Sequence, residues 1–253
     1  MNNGNSSLDN LLIILETISQ HSEGITLTDI VRKTNIPKTS VHRILNTLKN
    51  REFIEINALT ETYTVGIKTI ELGIKNLMTT DVVEVSIPFL HELSTKTDET
   101  AFLAVYNDTE IVYLYKHEGN NAIRTTSTLG SRRPAYCTGL GRAILAHLPE
   151  EEIERNLQGE LQKYTEKTKI DPVEIKKTLA SIREHGYSQD NEEIEEGLTC
   201  LASPIFNHLG NVVAAISVAG PTQRMLLQKD AIIADLLRTA ESISQRLGYF
   251  ARE

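Results

Sequence analysis

The sequence predicts an α+β protein of two domains, a small helical head followed by a larger sheet domain. Residues 24–56 read as two short helices joined by a tight turn and followed by a strand, and a second strand pairs with it at residues 62–65. Hairpin strands near residues 100–117 and 200–219 have helices on both sides in the chain. The length of 253 residues accommodates both domains.

Local signals mark the ends of the two short helices. Thr26 precedes a helical run and is followed three residues later by Asp29, which resembles a capping box. Asn35 is a plausible helix stop, and Pro37 is tolerated at the start of the next helix. The second helix has an apolar side, made of Val41, Ile44, Leu45 and Leu48.

The opposite side of the second helix is polar and basic. From Arg32 to Arg51 there are six Lys or Arg residues and no Asp or Glu. Such a surface suits phosphate, and its Ser, Thr, Asn and Arg side chains suit base edges in a major groove. The pattern is typical of a helix-turn-helix, and the hairpin after it makes the motif winged. The alternative is an ordinary helical subdomain with a solvated charged face.

Charge is unevenly distributed along the chain. The formal net charge is −8, yet residues 1–75 hold eight basic and eight acidic residues, so residues 76–253 carry the whole excess. Specific DNA binding needs a basic face rather than a basic protein, and the acidic remainder disfavours indiscriminate adhesion to DNA. The two cysteines have no metal-type spacing, and no signal peptide or membrane-length apolar run is present. We therefore expect a cytoplasmic protein without metal or cofactor.

The remaining segments complete the predicted order. Residues 67–78 read as a connecting helix and a candidate dimer seam, which places the predicted domains at 1–66 and 81–253 with a linker at 67–80. The other predicted elements are helices at 8–19, 82–96, 138–149, 150–157, 172–186 and 221–250, strands at 100–106, 110–117, 122–126, 200–207 and 211–219, and loops at 129–134 and 190–197.

Across nearly its whole length the chain resembles the IclR family of bacterial transcriptional regulators. The head matches in LTDIVRKTNIPKTSVHRILNTL, and the second domain matches in LGSRRPAYCTGLGRAILAHL and GLTCLASPIFNHLGNVVAAISVAGP. The resemblance implies a winged helix-turn-helix, a linker helix and a GAF-like α/β domain that binds a small organic acid. It also implies homodimers, often paired as dimers of dimers on operator DNA.

The family's recognition helix corresponds to residues 38–50, and the match makes Thr39, Ser40, His42 and Arg43 DNA contacts. Physical reasoning separates their roles, because residues at the helix N-terminus suit phosphate whereas Arg43 can reach bases. His42 can equally stack on neighbours or cap. The chain has Glu52 where the family often has Gly, which bears on the path into the wing. The predicted DNA-binding residues are Lys38, Thr39, Ser40, His42, Arg43 and Thr47.

The same resemblance implies an effector site in the second domain. Gly139 lies at a helix N-terminus, where unpaired N–H groups can hold a carboxylate, and Ser217 can donate a hydroxyl. Asp190 is expected to accept from a ligand hydroxyl rather than to receive a carboxylate. Each residue also has a structural alternative, such as a small buried hydrophobe for a cysteine or a solvated loop for the acidic run. The predicted effector-binding residues are Gly139, Leu140, Asp190, Cys200, Ser217 and Ala219.

Two departures from the family pattern affect this site. Ala219 stands where relatives often carry Ser, which removes a hydroxyl, and Tyr136 stands where many carry His, which adds an aromatic wall. Arg133 has two readings, a partner for a second ligand charge or an exposed loop arginine.

The resulting prediction is a repressor of a catabolic operon that responds to a sugar acid or keto acid. An enzyme is the main alternative, but Ser203 and Ser217 lack a neighbouring His and acid in a nucleophile motif. A ligand-independent architectural DNA-binding protein is the other alternative.

Overall fold

The computed structural model describes residues 6–72, 81–122, 125 and 127–250. The chain forms two compact units, Met1–Thr79 and Thr80–Glu253. Residues 67–72 are helical, and the rest of the predicted connecting helix, with the predicted domain boundary, lies outside the described residues.

The described part of the first unit is a head of three helices with a small antiparallel sheet in the order β1-β3-β2, followed by the helical residues 67–72. Its core is aliphatic and includes Ile14 and Ile18 of the first helix, Ile30 of the second and Val41 of the third. The elements are α1 (Ser6–Ser19), β1 (Ile25–Thr26), α2 (Leu27–Thr34), α3 (Lys38–Asn50), β2 (Ile54–Asn57) and β3 (Thr62–Val65).

The local signals read from the sequence act as predicted in this unit. The Asp29 N–H donates to the Thr26 hydroxyl at 3.2 Å, and that hydroxyl donates to the Asp29 carboxylate at 2.8 Å. Asn35 takes the left-handed conformation at φ 56°, and its N–H closes α2 on the Val31 carbonyl. The first pair of contacts caps the start of α2, and the Asn35 contact ends α2 at the turn to α3.

The entry into the wing turns at Glu52. This residue adopts φ 61°, a left-handed conformation that costs a non-glycine residue about 1 kcal/mol. The Glu52 carbonyl accepts from the Lys68 N–H at 3.0 Å, while a Cβ at Gly66 would lie 2.3 Å from the same oxygen. Glu52 therefore makes the turn that glycine often makes in the family, and Gly66 provides the space beside it.

The second unit has a six-stranded antiparallel sheet in the order β6-β5-β4-β9-β8-β7 among the described residues. Its elements are α4 (Val82–Thr97), β4 (Thr100–Asn107), β5 (Glu110–His117), β6 (Arg132–Pro134), α5 (Gly139–Leu145), α6 (Glu150–Leu157), α7 (Pro172–His185), β7 (Ser188–Asn191), β8 (Leu198–Phe206), β9 (Val212–Pro221), α8 (Thr222–Leu227) and α9 (Lys229–Arg246).

The sheet is buried on both faces, as the alternation along β4 shows. Ala101 and Leu103 join the core that includes residues of α4 and α9. Phe102 and Ala104 join the core that includes residues of α5, α6 and α7. Because successive strand side chains point to opposite faces, the sheet lies between two layers of helices. The predicted two-domain α+β fold is confirmed.

Three predicted elements of this unit differ in the structure. Residues 132–134, predicted as loop, form the edge strand β6, which tolerates Pro134 because an edge strand needs fewer ladder bonds. Asp190, predicted in a loop, lies in β7 opposite Cys200. The predicted closing helix 221–250 is interrupted at Gln228 and ends at Arg246. The prediction of a strand at 122–126 falls largely on residues outside the described part of the chain.

Candidate DNA-binding face and ligand cavity

Helix α3 presents one continuous polar face to solvent. Its apolar side is buried in the head, which leaves Lys38, Thr39, His42, Arg43 and Thr47 exposed. Ser40, the remaining predicted contact, is half-buried on the same helix. The structure thus brings all six predicted DNA-binding residues together on a single element.

Within the described part of the chain, the cationic groups of this face have no carboxylate partner. Lys38, Arg43 and Lys49 form no ion pair with any described residue, whereas Arg32 on α2 binds Asp29 at 2.7 Å. The N-cap residue Pro37 makes no side-chain cap hydrogen bond, so the first N–H groups of α3 are left without a side-chain acceptor. The face can therefore take phosphate oxygens at its N-terminal end.

Two side-chain contacts organise the middle of α3. Asn46 Nδ2 lies 3.3 Å from His42 Nδ1, and the Thr47 hydroxyl donates to the Arg43 carbonyl at 3.1 Å. Asn46 therefore stands beside the predicted contacts, although it was not selected from the sequence. Thr47 retains only acceptor capacity for a base, because its hydroxyl proton is engaged by the helix backbone.

The wing is acidic rather than basic. Residues 52–67 contain Glu52, Glu55 and Glu61 and no Lys or Arg. The tip residue Leu59 is 95% exposed and is held by a turn in which its N–H donates to the Asn57 side-chain oxygen at 2.9 Å. Cationic contacts to phosphate are therefore expected from the helices rather than from the wing.

The second unit contains a small, largely enclosed cavity of about 110 Å³ between α5 and the sheet. All six residues predicted to bind the effector line it, although they come from four separate stretches of the chain. Strand pairing places three of these residues side by side. Asp190 lies opposite Cys200, and Cys200 lies opposite Ala219, so one wall of the cavity is a row of residues across β7, β8 and β9. Ser217 is in the same strand two residues before Ala219 and so shares its face.

The opposite wall is the beginning of α5. The Thr138 hydroxyl donates to the Pro134 carbonyl at 3.0 Å and accepts from the Gly141 N–H at 3.1 Å, so one of the N-terminal N–H groups is already capped. A Cβ at Gly139 would lie 3.1 Å from the Cys200 sulfur, which shows how closely the helix approaches β8. The Leu140 N–H donates to the Cys200 sulfur, whereas no acceptor is found for the Gly139 N–H among the described residues.

Asp190 is the charged group placed deepest at this cavity. It is 6% exposed, and burial raises the pKa of its carboxyl to about 7, although Arg142 opposes this shift. One carboxyl oxygen accepts from the Glu193 N–H at 2.8 Å. In its protonated form the side chain can donate to a ligand carboxylate, and in its ionised form it can accept from a ligand hydroxyl. The predicted role as an acceptor stays a prediction.

Cys200 and Ser217 contribute neutral groups. Burial raises the pKa of the Cys200 thiol to about 12, so it stays protonated. The Ser217 hydroxyl is wholly buried, and its polar neighbour is the Cys200 thiol, whose pKa it acts to lower. It has no nitrogen or oxygen partner among the described residues, and a thiol is a weak hydrogen-bond partner, so Ser217 is a candidate donor to a bound molecule.

Sequence reasoning missed much of the cavity lining. Tyr113 and Phe102, whose ring centroids are 5.2 Å apart, face it from neighbouring strands, and burial raises the pKa of Tyr113 to about 12. Alternation along β4 and β5 predicts which residues share a face but not which face holds a cavity. The further lining residues are Thr125, Ser127, Thr128, Ser131, Arg133, Thr138, Ile194, Glu195 and Leu198.

The suggested aromatic wall at Tyr136 is wrong. Its hydroxyl donates to the Gln162 carbonyl at 2.5 Å, and the ring lines a separate surface groove. Arg133 does line the cavity from β6, but its side chain is exposed.

An ion pair buried behind the cavity was also missed. Arg142 is 0% exposed and Glu193 is 3% exposed, and the guanidinium donates to both carboxylate oxygens, at 2.8 and 2.7 Å. The run 190–197 reads as a solvated acidic loop because its sequence is rich in Glu. Glu193 can be buried because it pairs with Arg142 of α5, which is 51 residues away in the sequence and so cannot be found from the local pattern.

Comparison with known proteins agrees with this architecture. Residues 7–57 match the IclR helix-turn-helix domain, and residues 74–245 match the domain described as bacterial transcriptional regulator IclR C-terminal. The two matches together cover most of the chain and place it in the class of bacterial DNA-binding transcriptional regulators, which agrees with the exposed basic helix of the head. Within that class, the chain belongs to the IclR family.

Individual relatives cover almost the whole chain. It is 32% identical to the HTH-type transcriptional regulator KdgR of Escherichia coli K12 over 96% of this chain and 93% of that protein. It is 32% identical to the HTH-type transcriptional repressor AllR of the same strain, over 97% and 91%. The crystal structure of Pseudomonas aeruginosa HmgR superposes with a TM-score of 0.85 at 27% identity, covering 96% of this chain and 98% of that one. The two Escherichia coli relatives are named as transcriptional regulators, not as enzymes.

No helix in the described part of the chain has the length and apolar character needed to span a bilayer.

Proposed function

We propose that the chain represses a catabolic operon and that a small organic acid bound in the second unit alters its affinity for operator DNA. The observation that carries this proposal is the cavity of about 110 Å³, which collects Asp190, the Ser217 hydroxyl beside the Cys200 thiol, and the Gly139 residue at the start of α5. Donors facing an enclosed space suit a carboxylate with an adjacent oxygen. The name of AllR as a repressor supports the direction of control.

The size of the cavity favours short acids. An engineered protein cavity of about 150 Å³ holds benzene, which has six non-hydrogen atoms. On that scale a cavity of about 110 Å³ suits an acid of roughly four to five non-hydrogen atoms, and pyruvate, with its three carbons and three oxygens, lies at the upper limit. Of the two predicted ligand classes, this favours a short keto acid over a sugar acid.

A thermal-shift screen of the full chain tests the ligand class. Glyoxylate and pyruvate are the short keto acids, and gluconate is the larger sugar acid. An acid present at one hundred times its Kd stabilises the native state by about 2.7 kcal/mol, which is readily measured. If no acid raises the melting temperature, the effector proposal fails and a ligand-independent DNA-binding protein is favoured.

The cavity proposal makes a specific prediction for Ser217. In Ser217→Ala a donor to the acid is lost, so affinity for the best acid of the screen should fall about tenfold, as expected for one hydrogen bond. Operator binding without acid should remain unchanged, because the residue lies in the second unit. Calorimetry for the acid and fluorescence anisotropy for DNA measure the two affinities. Unchanged acid affinity would remove Ser217 from the site.

The role of α3 is tested by Arg43→Ala with DNA selected from random fragments by the wild-type chain. Loss of a base contact should weaken specific binding by about 1–3 kcal/mol and relax preference at one position. Arg32→Ala is the matched control, because Arg32 is exposed but paired with Asp29. Equal losses in the two variants, or none in either, would contradict base reading by Arg43.

We also propose that the chain acts as a homodimer, which can pair further into a dimer of dimers. The first unit leaves apolar side chains exposed on α1 and on the helical residues 67–72, namely Leu8, Leu12, Ile67 and Ile70. Two heads in a symmetric dimer would read half-sites about one DNA turn, roughly 34 Å, apart or a multiple of it. Sedimentation of the chain with and without DNA measures the assembly.

A further inference from the structure

We propose that Arg142 is a positioning residue of the effector cavity: its guanidinium clamps the chain on both sides of Asp190 and so fixes where that carboxyl points. The inference rests on the proposed effector function, and it adds a residue that does not line the cavity.

The geometry of the clamp is complete in the structure. Arg142 donates to the Gln189 carbonyl at 2.7 Å, directly before Asp190, and to both carboxylate oxygens of Glu193, three residues after it. The Glu193 N–H then donates to the Asp190 carboxyl at 2.8 Å. One buried cation thus sets the backbone that orients the Asp190 side chain, and it does so from α5, which forms the opposite wall of the cavity.

A second set of contacts holds the same segment from its outer side. The Thr168 hydroxyl donates to the Glu193 carbonyl at 2.5 Å, and the Lys169 N–H donates to the Glu193 carboxylate at 3.2 Å. The Thr165 hydroxyl donates to the Glu192 carbonyl at 2.7 Å. Glu193 is therefore fixed at its carboxylate, its carbonyl and its N–H, and the next two residues, Ile194 and Glu195, line the cavity.

This arrangement is poorly explained by stability alone. A buried ion pair contributes little net stability compared with an apolar pair of similar volume, because both charges lose their hydration. The Arg142 Nε atom is also buried and has no hydrogen-bond partner among the described residues, which is a further cost. An apolar pair could fill the space, but it could not hold the Gln189 carbonyl and the Glu193 backbone in register with Asp190.

A test must distinguish side chains that only fill the space from side chains that also hold the backbone around Asp190. The double variant Arg142→Met/Glu193→Met roughly keeps the volume and removes both charges. It also removes the partners of the Gln189 carbonyl and of Lys169, whose ammonium lies 3.7 Å from the Glu193 carboxylate, so we expect a folded protein whose melting temperature falls by only a few degrees. In the absence of ligand, amide hydrogen exchange of residues 189–195 should rise at least tenfold relative to the wild type. Affinity for pyruvate, measured by calorimetry, should fall at least tenfold.

A matched control exists in the same unit. Glu99 is buried and receives two hydrogen bonds from Arg224, at 2.5 and 2.8 Å, but neither residue lines the cavity. Glu99→Met/Arg224→Met should leave pyruvate affinity and exchange of residues 189–195 unchanged.

Wild-type affinity and wild-type exchange in the Arg142→Met/Glu193→Met protein would overturn the proposal. If that protein does not fold, Arg142→Lys replaces it, since lysine keeps the charge but cannot reach all three acceptors with fixed geometry. The same tenfold changes are expected for Arg142→Lys, and their absence overturns the proposal. If neither pyruvate nor glyoxylate binds the wild type, the effector proposal fails, whereas the exchange measurement still decides the clamp.

Discussion

Replacing Asp190 by Asn should remove a pH dependence of stability that the wild type has. The folded chain holds the Asp190 proton up to about pH 7, whereas the ordinary carboxyl value is 3.8. The native state therefore binds more protons than the unfolded state between these values, so wild-type stability should fall as pH rises through this window. The shift of the Asp190 pKa from 3.8 to about 7 corresponds to a loss of at most about 4 kcal/mol in the free energy of unfolding, reached above pH 7.

An asparagine at position 190 keeps the structural contact without the ionisation. Its side-chain oxygen can still accept from the Glu193 N–H, which lies 2.8 Å from the Asp190 carboxyl oxygen in the wild type. The Asp190→Asn variant should therefore match the wild type near pH 4 and be more stable at pH 8 by up to about 4 kcal/mol. Because the chain has no Trp, urea unfolding is best followed by circular dichroism.

The control is Glu195→Gln, an exposed carboxylate that lines the same cavity. This variant should follow the wild-type profile. Parallel wild-type and Asp190→Asn profiles between pH 5 and pH 8 would mean that Asp190 is already ionised in the native state, and the reasoning from burial would be refuted.

Two glycines of the second unit and one of the head give further predictions. In Gly141→Ala the new Cβ would lie 2.3 Å from Ala135 backbone atoms, so the second unit should lose about 3 kcal/mol in urea unfolding. Gly139→Ala, whose Cβ meets the Cys200 sulfur at 3.1 Å, should lose less stability but reduce acid affinity in calorimetry. Gly66→Ala brings a Cβ to 2.3 Å from the Glu52 carbonyl, so the head should lose about 3 kcal/mol and its DNA affinity in anisotropy should fall. Wild-type unfolding curves for Gly141→Ala or Gly66→Ala would show that the backbone relaxes around the added methyl group.

The head could be predicted from sequence because its determinants are local. Thr26 caps α2 through a residue three positions away, Asn35 ends the same helix, and the apolar stripe of α3 recurs at helical spacing. Each signal acts within one or two helical turns and needs no knowledge of distant contacts.

The cavity depends on register between strands that are far apart in sequence. Cys200 meets both Asp190 and Ala219 only because β8 lies between β7 and β9. Family resemblance, rather than periodicity, indicated these residues. Neither family resemblance nor periodicity indicated the ion pair of Arg142. An arginine inside a helix and a glutamate inside an acidic run are each typical of solvent-exposed positions, and only the folded structure shows that they pair.

The acidic wing has a consequence for how the head searches the genome. Helix α3 contributes three cations that are unpaired among the described residues, and the wing adds none, so two heads would displace only about six counterions through their recognition helices. Such a count gives a salt exponent near −5, roughly half of that for a strongly electrostatic repressor. Complexes of the protein with random duplex DNA would then be short-lived at cellular ionic strength. A long-lived complex would require contacts to matching bases.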